Sequence, residues 1–231
     1  DFKKIFVNFD ENILKNTDLL SQNNNSGDNL KKKSNSDKIL QFKDTISSKN
    51  NISLKTSKNE NLNKNEMLYN LYQKYKYCLN CDLSKTRNKL VFGQGDAESK
   101  IMFIGEGPGE KEDQTGEPFV GRAGKLLTKM INSIGIEKQD VYITNVVKCR
   151  PPQNRNPFGI EISKCSPILK QQIEIVNPKL IVTLGNFPAK TLISDVQGIT
   201  KIHGKVFQYE NWKILPTFHP SYLLRNRSSM S

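Results

Sequence analysis

Apolar positions divide the chain near residue 67, and beyond that point they follow two alternating periods. Leu68, Leu71, Tyr72 and Tyr75 are spaced as on one helix face, which predicts a helix over Glu66–Tyr77. Ile101 to Ile104 form an unbroken apolar run into Gly105. Such a run, bounded by Gly and Pro, predicts a buried parallel strand over residues 99–105. Leu126, Leu127, Met130, Ile131 and Ile134 predict a helix over Val120–Gly135, ended by Gly135. Val141–Val147 reads as a second strand. Ile162, Cys165, Leu169, Ile173 and Val176 predict a helix over Ile160–Val176, stopped before Pro178. Leu180–Leu184 is a third strand running into Gly185, and Pro188–Ile193 begins another helix. Lys213–Pro216 is a fourth strand, leading to Thr217-Phe218-His219-Pro220. Strands alternating with longer helices predict an α/β domain with a mainly parallel central sheet over residues 67–231.

Residues 1–66 lack any sustained period. Asn and Ser supply a third of them, with runs such as Asn23-Asn24-Asn25 and Lys31-Lys32-Lys33. Such a stretch cannot bury enough apolar area to offset the entropy of ordering. It is expected to be a disordered extension, with a short amphipathic piece near Phe2–Leu14.

Charge adds a partner class. The 231 residues carry 35 Lys+Arg against 23 Asp+Glu, a net charge of +12. Residues 1–66 hold 12 basic and 9 acidic side chains, net +3, so residues 67–231 hold 23 and 14, net +9. The excess lies on the segment expected to fold, which favours a polyanion, nucleic acid first. No apolar run is long enough to span a membrane, and no basic n-region precedes an apolar h-region. The expectation is a cytoplasmic monomer with no membrane partner. The chain opens on Asp1 and closes soon after Arg227, ends expected of a fragment or a processed chain that lacks a helix over its last face.

The four cysteines carry the strongest chemical signal. Cys78 and Cys81 form a C-x2-C pair, Cys149 follows after 67 intervening residues, and Cys165 after 15 more. Disulfides would need an oxidising compartment, which no export signal supports. Four thiolates suit either a structural zinc or a cubane iron–sulfur cluster, and the spacing does not separate them. Four unrelated buried thiols are the plainer alternative. Cys149 lies between Lys148 and Arg150, whose charges are expected to lower its pKa.

The predicted strands end in polar and aromatic residues. Gly105, Gly107 and Gly109 follow the first, Asn145 the second, and His219 the last. Phe119 precedes a helix start in Glu117–Gly124. Ligands bind at the carboxyl edge of open α/β sheets, and glycines there let backbone N–H groups approach closely. Amides, one carboxamide, one imidazole and one aromatic face suit a flat polar heterocycle. Taken singly, Asn145 could cap a turn, Phe119 could be core, and Glu110, Glu112 and Asp113 read as a solvated face.

With these stretches in view, residues 78–227 resemble the family 4 (type-4) uracil-DNA glycosylases, an iron–sulfur branch of the uracil-DNA glycosylase superfamily. The resemblance rests on Gly-Glu-Gly-Pro-Gly-Glu at 105–110, Pro-Phe-Val-Gly-Arg-Ala-Gly at 118–124 and Thr-Asn-Val-Val-Lys-Cys-Arg-Pro-Pro at 144–152. Asn-Arg-Asn-Pro at 154–157, His-Pro-Ser-Tyr-Leu-Leu-Arg at 219–225 and the cysteine pattern complete it. It implies a three-layer α/β/α fold and a monofunctional hydrolase that releases uracil from single- or double-stranded DNA. It implies that Cys78, Cys81, Cys149 and Cys165 bind one structural [4Fe-4S] cluster, with zinc as the alternative. Gly105, Glu106 and Gly107 would line the base pocket and place the attacking water. Phe119 would stack on the flipped base, Asn145 would read its N3–H and O4 edge, and His219 would donate to O2. Arg150 and Arg155 would lie near cluster and DNA, while Leu223, Leu224 and Arg225 would enter the duplex and hold phosphates. Gly107 takes the place of an Asp that orients water in the best-known branch, which leaves Glu106 as the nearest carboxylate for that task. The second histidine, His203, has no assigned role. The competing class is a non-catalytic, metal- or cluster-containing DNA-binding protein.

Overall fold

A computed structural model describes residues 63–226, apart from Ser194. The expected extension up to residue 62 therefore lies outside the described residues, its amphipathic piece included. The first helix, α1 (Lys64–Tyr75), starts two residues before the predicted boundary. The Asn63 side chain accepts from Glu66 N–H while the Glu66 carboxylate accepts from Asn63 N–H, a reciprocal cap that sets the entry point.

Six strands form one sheet: β1 (Gln94–Gly95), β2 (Ile101–Gly105), β3 (Tyr142–Asn145), β4 (Leu180–Leu184), β5 (Phe207–Tyr209) and β6 (Trp212–Thr217). Their order is β1-β3-β2-β4-β6-β5, with the inner four parallel and both edges antiparallel. The edge strands β1 and β5 were not expected; each is too short to show a period. The remaining helices are α2 (Glu110–Thr115), α3 (Arg122–Ser133), α4 (Gly159–Val176), α5 (Asn186–Leu192), α6 (Ile199–Ile202) and α7 (Pro220–Arg225).

Strand alternation sorts side chains between two layers. Ile101 and Phe103 of β2 join Leu127, Met130 and Ile131 of α3 and Leu223 of α7. Met102 and Ile104 point the other way, toward Leu68 and Leu71 of α1 and Leu169 of α4. The result is a three-layer α/β/α sandwich, with both sheet faces covered as its fully buried parallel strands require.

Topology places the site. From β2 the chain steps to β3 on one side and then returns to β4 on the other. The connections leaving β2 and β4 therefore diverge, opening a crevice at the carboxyl ends of the parallel strands. The strand predicted to reach Val147 ends at Asn145, although the Val146 and Val147 N–H groups still donate to the Gly105 and Glu106 carbonyls.

Candidate active site

A cleft of about 620 Å³ opens at that edge, lined among others by Glu106, Phe119, Asn145, Arg155, His219 and Arg225. Gly105 ends β2 where two of these side chains crowd the backbone. A Cβ on Gly105 would run into Asn145 Oδ1 and the Phe119 ring. Gly107 is similarly tight, since its Cβ would lie 2.8 Å from Val147 Cγ2. These glycines exist to admit the neighbours, not merely to turn the chain.

Phe119 is buried to 7% exposure, yet it faces the cleft, and its ring centroid lies 6.0 Å from that of His219. Its φ is +54°, an uncommon conformation for an aromatic residue. Two contacts hold it. Glu112 Oε1 accepts from the N–H groups of Val120 and Gly121 at 2.9 and 2.8 Å. Gly124 lets α3 press against the Phe119 backbone, where any Cβ would collide.

Asn145 closes β3 at 2% exposure. Its Oδ1 is buried without a hydrogen-bond partner. An acceptor left so costs free energy, and at a cleft it marks a place for a donor from a ligand. Behind it, the fully buried Lys148 Nζ donates to the Asn145 carbonyl and to Thr144 Oγ1, both at 2.6 Å. Burial pulls that ammonium down to about 7, against the opposing pull of Cys165 and Cys149.

His219 caps α7. Its Nδ1 accepts from Ser221 N–H at 3.1 Å, with Ser221 Oγ at 2.6 Å. A backbone N–H can only donate, so Nδ1 is the unprotonated nitrogen and Nε2 carries the proton. Burial holds the imidazole down at about 4, with Arg225 adding to the shift and Glu112 opposing it. The ring is therefore a neutral donor at ordinary pH. Glu106 stands half-buried at the mouth, where desolvation raises its carboxyl.

Several expectations are corrected. Of the acidic run only Glu110 is solvated: Glu112 holds the Phe119 loop, and Asp113 is 1% exposed, accepting from Asn88 N–H and Nδ2. Leu223 does not reach out to a duplex. It is wholly buried in the α3 layer, because residues 220–225 form a helix whose Pro220 suits a first turn. Leu224 is half-buried and Arg225 exposed at the rim. Arg155 is bidentate with Glu161, at 2.9 and 2.6 Å, and lies over the Phe158 ring while lining the cleft. His203 stacks on Phe218 and accepts no place in the cleft lining.

The four cysteines, all free, border one small cavity on the α1–α4 side. Cys149 is not lowered by its chain neighbours. Burial pushes it up to about 11, and the opposing cation is Arg87, whose Nη1 donates to Cys149 Sγ at 3.1 Å. Arg150 turns instead to Asn154. Lys148 N–H donates to Cys165 Sγ at 3.3 Å. Among the described residues, no group of three or more His, Cys, Asp or Glu side chains is placed to hold a metal ion. Glu112, Lys148 and Arg87 were missed as site residues. Only Glu112 left a trace in sequence, as the one acidic side chain placed three residues beyond Gly109.

Fold, sheet-edge cleft and glycine-lined base-sized site define a chain of the Uracil DNA glycosylase superfamily, to which it belongs by a match over residues 92–231. Its relatives are more particular. The type-4 uracil-DNA glycosylase of Thermotoga maritima is 49% identical over 169 residues, covering 71% of this chain and 86% of that protein. The type-4 enzyme of Archaeoglobus fulgidus is 44% identical over 167 residues, 69% of this chain and 84% of that one. A type-5 uracil-DNA glycosylase of Pyrobaculum aerophilum is 29% identical over 154 residues, 59% and 68% of the respective chains.

Proposed function

We propose that this protein hydrolyses the N-glycosidic bond of uracil in DNA, releasing uracil and leaving an abasic site. The observation that carries it is the meeting of Asn145 and Phe119 at Gly105, with His219 6.0 Å from Phe119 in the same cleft and Asn145 Oδ1 awaiting a donor. Uracil supplies that donor at N3–H, and its O4 accepts from the Asn145 amide. Phe119 offers a face for the extruded base. As the bond breaks, negative charge gathers on the base. The neutral His219, its Nε2–H fixed by Ser221, donates to O2 and stabilises that charge. Cytosine would present a donor where O4 belongs and no proton at N3, leaving buried groups unpaired at roughly 1–3 kcal/mol each.

Water then adds at the sugar. The Glu106 carboxylate, half-buried at the mouth of the cleft, is the group we assign to position it. Its raised pKa suits a base. Near-normal turnover of Glu106→Gln would remove it from the mechanism. Thymine exclusion falls to Glu112, whose Oε2 fills the space beside Gly109. Arg225 at the rim and Arg155 on the wall are read as the backbone contacts, and the half-buried Leu224 beside Arg225 as the apolar side chain that meets the duplex. No lysine faces the cleft among its lining residues, in keeping with a monofunctional hydrolase.

We read Cys78, Cys81, Cys149 and Cys165 as the ligands of one [4Fe-4S] cluster. The four cysteines border one cavity and offer the four thiolates that a cubane cluster takes, as a zinc would. Donors from Lys148 N–H and Arg87 to two of the sulfurs suit anionic ligands. The cluster would cross-link the 78–81 segment, the chain beyond β3 and α4.

The test is incubation with a uracil-containing oligonucleotide, alkaline cleavage of abasic sites, and the visible absorbance of the same sample. A strand cut at uracil and not at thymine is expected. An intact strand bound by the protein would favour the non-catalytic reading.

A further inference from the structure

A second concave surface lies outside the uracil cleft. It is a groove of about 880 Å³ between α1, residues 87–95 and the end of α2. The α2 helix separates the two sites, turning Glu112 to the cleft and Thr115 to the groove. The floor runs along Gly93 and Gly95, whose φ values of +141° and +132° belong to glycine. It follows the side of β1 away from β3, where among the described residues no strand pairs with it.

Aromatic side chains and cations share this surface. Tyr69, Tyr72 and Tyr77 are 61%, 37% and 79% exposed, an unusual outlay of ring surface to water. Lys76 and Lys89 lie among them, Arg87 being turned to Cys149, and among the described residues no carboxylate lines the groove. The nearby Asp113 is buried and bonded to Asn88. Lys76 Nζ stands 5.0 Å from the Tyr77 ring centroid.

We propose that this groove binds single-stranded nucleic acid, holding unpaired bases on the tyrosine rings and phosphates on Lys76 and Lys89. Stacking platforms interleaved with cations are what a single strand uses, and a duplex offers no free base faces to such rings. Charge selects against the chain's own residues 1–62 as occupant. They carry 11 basic and 8 acidic side chains, a poor complement to a groove without carboxylates. An acidic peptide would use the cations but leaves the tyrosine faces unexplained.

The test uses the full chain with its cluster and a fluorescent oligothymidine, which contains no uracil, read by anisotropy at fixed salt. Tyr69→Ala/Tyr77→Ala is expected to weaken binding about tenfold or more. Tyr69→Phe/Tyr77→Phe, which keeps the rings, should bind as the parent does. Lys76→Ala/Lys89→Ala should weaken binding and flatten its salt dependence. Visible absorbance checks that the cluster next to Tyr77 is intact, and uracil release from a short oligonucleotide should be unchanged in all three. Equal affinity of parent and Tyr→Ala protein would overturn the proposal. So would an equal loss for duplex DNA on Tyr→Ala substitution, which rules out stacking on unpaired bases, or stronger competition by polyglutamate than by oligothymidine, which makes the occupant an acidic protein. Failure of uracil release in the parent would sink the excision reading and leave the oligothymidine result standing.

Discussion

Lys148 and Asn145 are joined inside the protein: the ammonium of the first donates to the backbone carbonyl of the second at 2.6 Å. The same lysine's N–H donates to Cys165 Sγ. One residue thus ties the end of β3, at the sheet-edge cleft, to the cysteine cavity. Lys148→Met should leave the Asn145 carbonyl and Thr144 Oγ1 short of a donor, destabilising the fold by about 1–3 kcal/mol. Thermal unfolding would measure that. Because Asn145 itself is retained, KM for a uracil oligonucleotide should rise along with a fall in kcat. Parent-like melting and kinetics would show the contact to be idle.

Asn145→Ala should lower kcat/KM by about 10²–10³, the usual effect of removing one preorganised polar group from a reacting site. Stability should fall little or even rise, because the substitution also removes a buried acceptor that has no partner. Steady-state kinetics beside a melting curve would separate the two effects.

His219 makes a pH prediction. Its folded pKa of about 4 lies below the ordinary value of 6.5. Between those values the unfolded chain binds more protons, so stability rises with pH across that window and is complete above it. As pH falls from 6.5 toward 4, the protein should lose on the order of 2–3 kcal/mol from this group. His219→Gln should flatten that part of the profile. Excision should show no loss of activity from imidazole titration between pH 6 and 8, and an inflection near 6.5 that vanishes in His219→Gln would contradict the tautomer drawn from Ser221.

Glu112→Ala should release the Val120 and Gly121 N–H groups and loosen the strained Phe119 turn. A stability loss of about 1–3 kcal/mol is expected. The vacated space beside Gly109 should also admit thymine or C5-substituted uracils. Product analysis on a T:G oligonucleotide would detect it; strict uracil specificity in the variant would acquit Glu112 of that role.

Cys165→Ser should abolish the visible absorbance and lower the melting temperature more than a buried Cys→Ser change in an apolar core would. If absorbance persists at full intensity, Cys165 is not a ligand. Retained zinc in the purified parent, with no visible band, would replace the cluster by a single ion.

Much of this protein is local and was readable as such. Helix and strand periods placed α1, α3, α4 and the inner strands within a few residues, because each buries a face set by neighbours three, four or two positions away. The glycine turn and the Phe119, Asn145 and His219 trio were visible as residue types at or near the ends of those elements, and the four cysteines as a spacing. What the linear chain withheld is which side chains meet. Arg87 reaches Cys149 across 62 residues, Glu112 bends back to hold the Phe119 loop, and Leu223 turns inward rather than toward DNA. The order β1-β3-β2-β4-β6-β5 decides those meetings, since contact depends on which strands lie side by side and on which layer each helix covers. No one-dimensional period records that.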